Sequence, residues 1–241
     1  MKIFPISDTH LELHKDGGKS FAKSLDPEGV DVLIAAGDII SLLDPSPLYR
    51  LCDRFKDARV LYVYGNHEFW KQSVDEALES LSKISYPNLT ILNNSTVEIG
   101  GRKFHGSPLW FCESDVLRTG LIDAHFADFM TISGFKPWVY REHEKCSKWL
   151  RDTVRDGDVV ITHHLPSYKC VSPRWQNSLD NCFFASYQDE TIWLCEPSVW
   201  IHGHGHDSID TMLHKTRMIR NPFGYIRALN QDFDQNFRIE L

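Results

Sequence analysis

The stretch VLIAAGD at residues 32–38 decides the fold class, because a short run that is apolar on both faces ends there at a glycine and an acid. A second run of the same kind, VLYVY at 60–64, ends at Gly65. Uniformly apolar runs of about four to eight residues are typical of strands that are covered on both faces of their sheet. The two runs therefore predict an α/β protein.

Apolar runs recur along the rest of the chain and extend this pattern. They predict strands at 2–7, 159–162 and 199–201, and hairpins that pair 97–99 with 103–105 and 212–214 with 218–220. Helical periodicity lies between the strands and predicts helices at 73–84 and from about 141 to 155. Ser73 and Glu76 have the spacing of a capping box at the start of the first of these helices. Segment 111–140 is the least regular, and we interpret it as a cap or insertion within a single domain that spans 1–241.

Composition and charge exclude several classes of protein. The chain has 241 residues, of which 42% are hydrophobic and 24% are charged, as in ordinary soluble globular proteins. Its net charge of −7 argues against nucleic acid as the main partner, since proteins that grip nucleic acid carry a basic face. No apolar run approaches the ~20 residues of a membrane span, so no membrane partner is expected. The six scattered cysteines indicate reduced thiols and a cytoplasmic location.

Polar side chains with metal-binding chemistry follow the predicted strands. Five strand ends carry them: Asp8 and His10, then Asp38, then Asn66 and His67, then His163, and finally His204 and His206. Because ligands bind at the carboxyl ends of the strands in an open α/β sheet, we expect these side chains to meet at one edge. Any one of them alone fits a turn, a helix cap or a surface histidine, and their joint occurrence at five strand ends argues against that explanation.

The mixture of ligand types points to a particular kind of metal site. Imidazoles with carboxylates and one amide oxygen suit Mn, Fe, Zn, Co or Ni, and the absence of a thiolate cluster argues against structural zinc. Seven candidate ligands are too many for one tetrahedral ion, but they suffice for two ions if a carboxylate bridges them. Two ions about 3.5–4 Å apart activate a bridging hydroxide and stabilise in-line displacement at phosphorus.

The ordered motif series resembles that of the calcineurin-like metallophosphoesterases. Their series is D-x-H, G-D, G-N-H-(E/D), a single H after a strand, and G-H-x-H. The matching residues here are Asp8-Thr9-His10, Gly37-Asp38, Gly65-Asn66-His67-Glu68, His163 and Gly203-His204-Gly205-His206. The series spans 8–206, and no ligand position departs from it. The resemblance implies a four-layer α/β/β/α sandwich in which two mixed sheets face each other and are flanked by helices.

The resemblance also implies how the ligands are shared. One ion would take Asp8, His10, Asp38 and His206, and the other would take Asp38, Asn66, His163 and His204, with Asp38 as the bridge. His67 would be the catalytic residue near the phosphate, where it stabilises the transition state or protonates the leaving oxygen. The implied reaction is hydrolysis of a phosphomonoester or phosphodiester by a metal-bridging hydroxide, on a small-molecule phosphate ester or a nucleotide.

Several assignments remain open at this stage. His163 and His164 are adjacent, and we expect His163 to be the ligand because it directly follows the strand. His202 is expected in the core and His143 on the surface, whereas His105 and His125 fit the surface better than the substrate cleft. Arg174 fits either a contact to a substrate phosphate or a solvated loop.

Two alternative functions are also considered. A nuclease of the same family is disfavoured by the acidic charge balance. A non-catalytic scaffold that keeps the fold should have lost metal ligands, and every expected ligand is present in this chain.

Overall fold

The structure is a computed structural model that describes residues 1–121 and 126–241. Its strands, numbered along the chain, are β1 (Lys2–Ile6), β2 (Val32–Ala36), β3 (Arg59–Val63), β4 (Leu89–Ile91), β5 (Ser95–Ile99), β6 (Arg102–Ser107), β7 (Val159–Thr162), β8 (Val199–Ile201), β9 (Ile209–Leu213), β10 (Thr216–Arg220), β11 (Gly224–Tyr225), β12 (Ala228–Leu229) and β13 (Ile239–Glu240). Its helices are α1 (Lys19–Ser24), α2 (Ser46–Arg54), α3 (Val74–Lys83), α4 (Glu113–Thr119), α5 (Ala127–Thr131), α6 (Phe135–Thr153) and α7 (Asp189–Cys195).

Two mixed sheets form the centre of the molecule. The first has the order β13-β1-β2-β3-β4, in which β1 to β4 are parallel and β13 is antiparallel to β1. The second has the order β5-β6-β7-β8-β10-β9, with a parallel centre and antiparallel hairpins at both ends. The predicted hairpins are those two end pairs, so both predictions are confirmed.

Alternate residues of the strands pack on opposite faces, which is why the apolar runs are continuous. Ile3 and Ile34 of the first sheet share a buried cluster with Ile161 of the second, so this cluster fills the space between the sheets. Their sequence neighbours Phe4 and Leu33 lie in a separate buried cluster that includes residues of α2, α3, α6 and α7. Helices therefore cover the outer faces, and the four-layer α/β/β/α sandwich is confirmed.

The helix ends follow local sequence rules. In α3 the backbone N–H of Ser73 donates to Glu76 Oε2 at 2.8 Å, and the Glu76 N–H donates to Ser73 Oγ at 3.3 Å, which confirms the capping box. The start of α6 at Phe135 lies about six residues before the predicted start. Pro137 is tolerated there because the first turn of a helix needs no N–H donor.

Segment 111–140 is more regular than the sequence suggests, because it contains α4, α5 and the start of α6. Phe111 and Phe135 within it are buried and their rings are in contact, with centroids 6.2 Å apart. The role of segment 111–140 as a cap stays a prediction. Residues 122–125 lie outside the described part of the chain, so the assignment of His125 stays a prediction as well. In the described part of the chain no helix is long and apolar enough to cross a membrane.

Candidate metal centre

The predicted ligands converge at the carboxyl ends of β1, β2, β3, β7 and β8. These ends belong to two sheets, so the expectation that they meet at the edge of one open sheet is wrong. They come together because the sheets pack face to face and present their carboxyl ends on the same side. Loops after strands of both sheets therefore supply the site.

One group of ligand atoms is formed by Asp8, His10 and His206, whose potential ligand atoms all lie within 4.8 Å of one another. The Nε2 atoms of His10 and His206 are 3.3 Å apart, and His206 Nε2 is 3.6 Å from Asp8 Oδ1. Asp8 is fully buried, and neither carboxylate oxygen has a hydrogen-bond partner within the described residues. A buried carboxylate without donors is costly unless a cation neutralises it.

A second group adjoins the first and is centred on His163. Its Nε2 atom lies 3.4 Å from Asp38 Oδ1, 3.1 Å from Asn66 Oδ1 and 3.2 Å from His204 Nδ1. Asp38, His163 and His204 form a second set of potential metal ligands within 4.8 Å. Oxygen and nitrogen lone pairs of four side chains thus point at one small volume, and this donor set fits a divalent cation.

His164 lies outside this second group. Its Nδ1 atom is 3.3 Å from the carbonyl oxygen of Pro108, and its ring packs near those of Trp110 and His204. The structure thus places His163 among the ligand atoms, as expected from the strand register. Its binding of metal stays a prediction.

Left-handed backbone conformations are concentrated at the proposed ligands. Positive φ angles occur at Asp8 (50°), His10 (45°), Asp38 (55°) and His204 (63°). This conformation costs a non-glycine residue roughly 1–2 kcal/mol, and such strain accumulates at functional sites. The fold therefore holds these four side chains at a conformational cost.

Two glycines of the motifs make room for other side chains. A Cβ atom at Gly65 would lie 2.3 Å from Asp38 Oδ1 and 2.6 Å from His163 Nε2. A Cβ atom at Gly205 would lie 2.3 Å from Nη1 of Arg220, an arginine that is only 2% exposed. The Nε atom of Arg220 donates to the carbonyl oxygen of Asp207 at 2.7 Å. A side chain at position 205 would therefore collide with the guanidinium of Arg220, which supports the loop that carries His204 and His206.

The pKa values of the site reflect burial and the charge of Asp38. Burial lowers the pKa of His10 and of His204, which favours the neutral imidazole that binds metals. Burial alone would also lower the pKa of His163, but the negative charge of Asp38 outweighs it and raises that pKa to about 9. His163 must therefore lose a proton when a cation binds.

His67 is held by contacts on both of its ring nitrogens. Nδ1 is 3.5 Å from Glu12 Oε1, and Nε2 is 2.9 Å from the hydroxyl of Tyr225. The imidazole ring stacks on Trp70, with centroids 3.6 Å apart. Burial would lower the pKa of His67, but the nearby Asp38 carboxylate raises it, and Glu12 acts in the same direction. These contacts favour the protonated ring.

Glu68 closes the G-N-H-E motif, and the sequence gives it no role. Its carboxylate accepts hydrogen bonds from the backbone N–H groups of Asp38, Ile39, Ile40 and Gly65 and from the Tyr62 hydroxyl, over 2.8 to 3.3 Å. Burial, with the charge of Asp38, raises the pKa of Glu68 to about 7. Glu68 thus ties the loop after β2 to the loop after β3.

Asp128 is a second residue that the sequence reasoning missed. It is fully buried, and its Oδ1 accepts hydrogen bonds from Asn66 Nδ2 at 2.9 Å and from Trp70 Nε1 at 2.7 Å. Because the carboxylate binds the NH₂ side of the Asn66 amide, the carbonyl oxygen faces His163. Glu12 and Tyr225 were missed as well. Glu12 lies close to the D-x-H motif, whereas Asp128 and Tyr225 are distant from any motif in sequence.

Several histidines outside the ligand groups, and Arg174, are placed by structural contacts. His202 is fully buried, as expected. The surface assignments of His143 and His105 are wrong, because both residues are buried. His143 Nδ1 lies 2.9 Å from the carbonyl oxygen of Leu109, and the ring of His105 is hydrogen-bonded to Thr96 and Asp158. Arg174 forms a bidentate ion pair with Asp207.

A cavity of about 950 Å³ opens over the two groups of ligands. Asp38, Asn66, His204 and His206 contribute to its lining, as do His67 and Tyr225. These four proposed ligands and His67 are therefore reachable by a bound molecule. The arrangement can bind cations at the base of a cleft and present a phosphate ester to them.

The family model of the calcineurin-like phosphoesterases matches residues 1–208. The chain belongs to this family. An uncharacterized protein of Acanthamoeba polyphaga mimivirus is 25% identical over 260 residues, which cover 93% of this chain and 91% of that protein. The crystal structure of phosphopantetheinyl hydrolase (PptH) from Mycobacterium tuberculosis is similar in fold, with a TM-score of 0.67, 18% sequence identity and coverage of 94% of this chain and 90% of that one. Nothing in these matches favours a nuclease or a non-catalytic scaffold.

Proposed function

We propose that this protein is a binuclear metallophosphoesterase that hydrolyses a phosphomonoester or phosphodiester. The observation that carries the proposal is the pair of adjacent ligand groups, one with Asp8, His10 and His206 and the other with Asp38, Asn66, His163 and His204. Asp38 would bridge the two ions in this proposal. Its carboxylate lies 3.4 Å from His163 Nε2, and its negative charge also acts on His10, where it opposes the lowering of the pKa by burial, which supports a position between the groups.

Two cations bound there would supply a nucleophile from water at neutral pH and would neutralise charge that develops on the phosphoryl oxygens. The chain itself binds and orients the ester. Glu68 and Asp128 hold the ligand loops, and the fixed backbone keeps the ligand side chains pre-organised. Manganese is our proposed metal among Mn, Fe, Zn, Co and Ni.

We also propose a cytoplasmic location, which the six free thiols support.

His67 is the proposed catalytic residue, because it lines the cavity next to the ligand groups and its surroundings favour protonation. It would donate a proton from its ring to the departing oxygen, with Glu12 orienting the ring from the opposite nitrogen. General acid catalysis of this kind contributes roughly 10²–10⁴-fold.

Replacement of His67 by alanine tests the proton donor. We expect His67→Ala to retain its metal, to lose roughly 10²–10⁴-fold in kcat on alkyl esters, and to lose less on 4-nitrophenyl esters, whose leaving group needs no proton. Steady-state kinetics on the two ester series, together with elemental analysis, measure this. An equal loss on both series would leave only electrostatic stabilisation, and a loss of metal would make His67 a ligand.

The function as a whole is tested by loading the metal-free protein with Mn²⁺ and measuring the hydrolysis of bis(4-nitrophenyl) phosphate and 4-nitrophenyl phosphate. The proposal predicts turnover that requires the metal and is removed by chelation. Bound metal without turnover on any phosphate ester would support the scaffold alternative instead.

A further inference from the structure

The cavity over the metal centre is much larger than a phosphate group requires. At about 950 Å³ it falls in the upper part of the range of small-molecule sites. Its base is formed by buried residues such as Asn66 and Asp128, whereas its rim is formed by exposed residues such as Trp175 and Leu229. The organic part of a substrate therefore has a built wall to contact, and the chemistry of that wall selects the substrate.

Apolar and aromatic side chains line the cavity on both sides of the ligands. Phe184 lies against the ring of His204, with centroids 4.3 Å apart, and Phe126 is 6.3 Å from the same ring. Tyr225 stacks on His10 at 4.3 Å and contacts His67. Flat, apolar surfaces thus flank the place where the phosphate would bind, and they favour an organic group over a shell of water.

The cations of the cavity wall are already neutralised or buried. Arg174 is bound by both carboxylate oxygens of Asp207 and stacks on Trp175, with its guanidinium 5.4 Å from the ring. Arg220 is only 2% exposed; its Nε atom donates to the carbonyl oxygen of Asp207, and its Nη1 atom has no hydrogen-bond partner within the described residues. Among the described residues the lining contains no lysine. Within this described part of the wall, a second phosphate on the substrate would find no cation that is both exposed and unpaired.

The rim instead carries acids without a cationic partner. Asp180 and Asp232 are exposed, line the cavity and form no ion pair within the described residues. An anionic group that approaches this rim is repelled, whereas a cationic group is attracted.

We propose that the cavity selects phosphate esters whose organic part is partly apolar and either uncharged or cationic, and that it discriminates against substrates with additional phosphates such as nucleoside diphosphates and triphosphates. The proposal rests on the proposed phosphoesterase function. It narrows the substrate class of that same site and assigns the selection to the cavity wall rather than to the metal ligands.

A matched set of chromogenic diesters tests the proposal on the Mn²⁺-loaded protein. Thymidine 5′-(4-nitrophenyl phosphate) and its 3′-phosphorylated derivative share the leaving group and the nucleoside and differ in one phosphate. We expect the 3′-phosphorylated ester to have a kcat/KM lower by roughly tenfold or more at low ionic strength. We expect 4-nitrophenyl phosphorylcholine, with its cationic group, to be hydrolysed at least as well as the uncharged nucleoside ester.

Charge reversal at the rim assigns the discrimination to the two acids. In the double variant Asp180→Lys with Asp232→Lys, the ratio of kcat/KM values should shift roughly tenfold towards the 3′-phosphorylated ester. The double variant Glu28→Lys with Asp57→Lys is the control, because it changes the net charge equally at exposed residues that do not line the cavity. It should leave the ratio unchanged.

The outcomes separate this proposal from the one on which it rests. Hydrolysis of all three esters with equal kcat/KM, or the same shift in both double variants, would overturn the substrate selection and leave the phosphoesterase function intact. Failure to hydrolyse any of them with metal bound would overturn the proposed function and, with it, the substrate class.

Discussion

Replacement of Asp128 by alanine separates the positioning of the metal ligands from the stability of the fold. The carboxylate accepts hydrogen bonds from Asn66 Nδ2 and Trp70 Nε1. Asn66 is 2% exposed, so an unpaired donor there costs about 1–3 kcal/mol, and the half-buried Trp70 can recover part of its loss from water. The lost hydrogen bonds therefore destabilise the folded state by roughly 2–4 kcal/mol.

The substitution also removes a charge that the folded protein buries at a cost. Burial raises the pKa of Asp128 from 3.8 to about 6. Above pH 6 the carboxylate is ionised in both the folded and the unfolded protein. At 1.36 kcal/mol for each pKa unit, this charge lowers the free energy of unfolding by about 3 kcal/mol relative to an uncharged residue. Removal of the buried charge therefore offsets most of the stability that is lost with the two hydrogen bonds. The free energy of unfolding of Asp128→Ala should thus lie within about 2 kcal/mol of that of the wild type at pH 7.5.

Metal binding should respond far more than stability does. Without the carboxylate the Asn66 amide can rotate, and its carbonyl oxygen no longer faces His163. Loss of a partner that orients a ligand typically costs roughly 10–100-fold in metal affinity. Titration of the metal-free protein with Mn²⁺ in a calorimeter should show one of two binding events weakened by this factor.

Asp115→Ala is the matched control, because Asp115 is also buried in segment 111–140 but pairs with Arg118 and Tyr168 instead. It should leave both binding events unchanged. Wild-type affinity at both sites in Asp128→Ala would refute the assignment of Asp128 as the residue that orients Asn66.

Two further predictions concern histidine and cysteine residues. His163→Ala should lose metal at one site while His164→Ala keeps near-normal metal content by elemental analysis; loss that follows His164 instead would mean that the ligand register after β7 is wrong by one residue. The pKa of Cys112 is lowered to about 7, mainly by a hydrogen bond with His143. The rate at which iodoacetamide alkylates the Cys112 thiol should therefore rise with pH and reach half of its maximum near pH 7. Mass spectrometry should place the midpoint for Cys195, whose pKa burial raises, at a higher pH, and a coincident midpoint would contradict the pairing with His143.

The sequence predicts the strands well and places the proposed ligands directly after them, because both leave local patterns. A buried strand such as β2 is a continuous apolar run, and a ligand such as Asp38 directly follows it, so order along the chain is enough to find both. The start of α6 was missed because its first turn contains Pro137, which interrupts helical periodicity in sequence but not the helix itself.

The surroundings of the ligands could not be predicted, because they depend on contacts between residues that are far apart in the chain. Asp128 lies 62 positions from Asn66, and Tyr225 lies 158 positions from His67. Neither contact leaves a spacing that a single sequence reveals. His105 was misassigned for the same reason, since its buried partner Asp158 is 53 positions away.

The central claim is that Asp38 joins two metal ions in one catalytic site. The most direct test is the metal content per chain of the wild type and of Asp38→Asn after loading with Mn²⁺ and gel filtration, measured with hydrolysis of bis(4-nitrophenyl) phosphate on the same samples. We expect two ions and turnover in the wild type, and weakened binding at both sites with almost no turnover in a variant that remains folded by circular dichroism. Two tightly held ions and wild-type turnover in Asp38→Asn would contradict it.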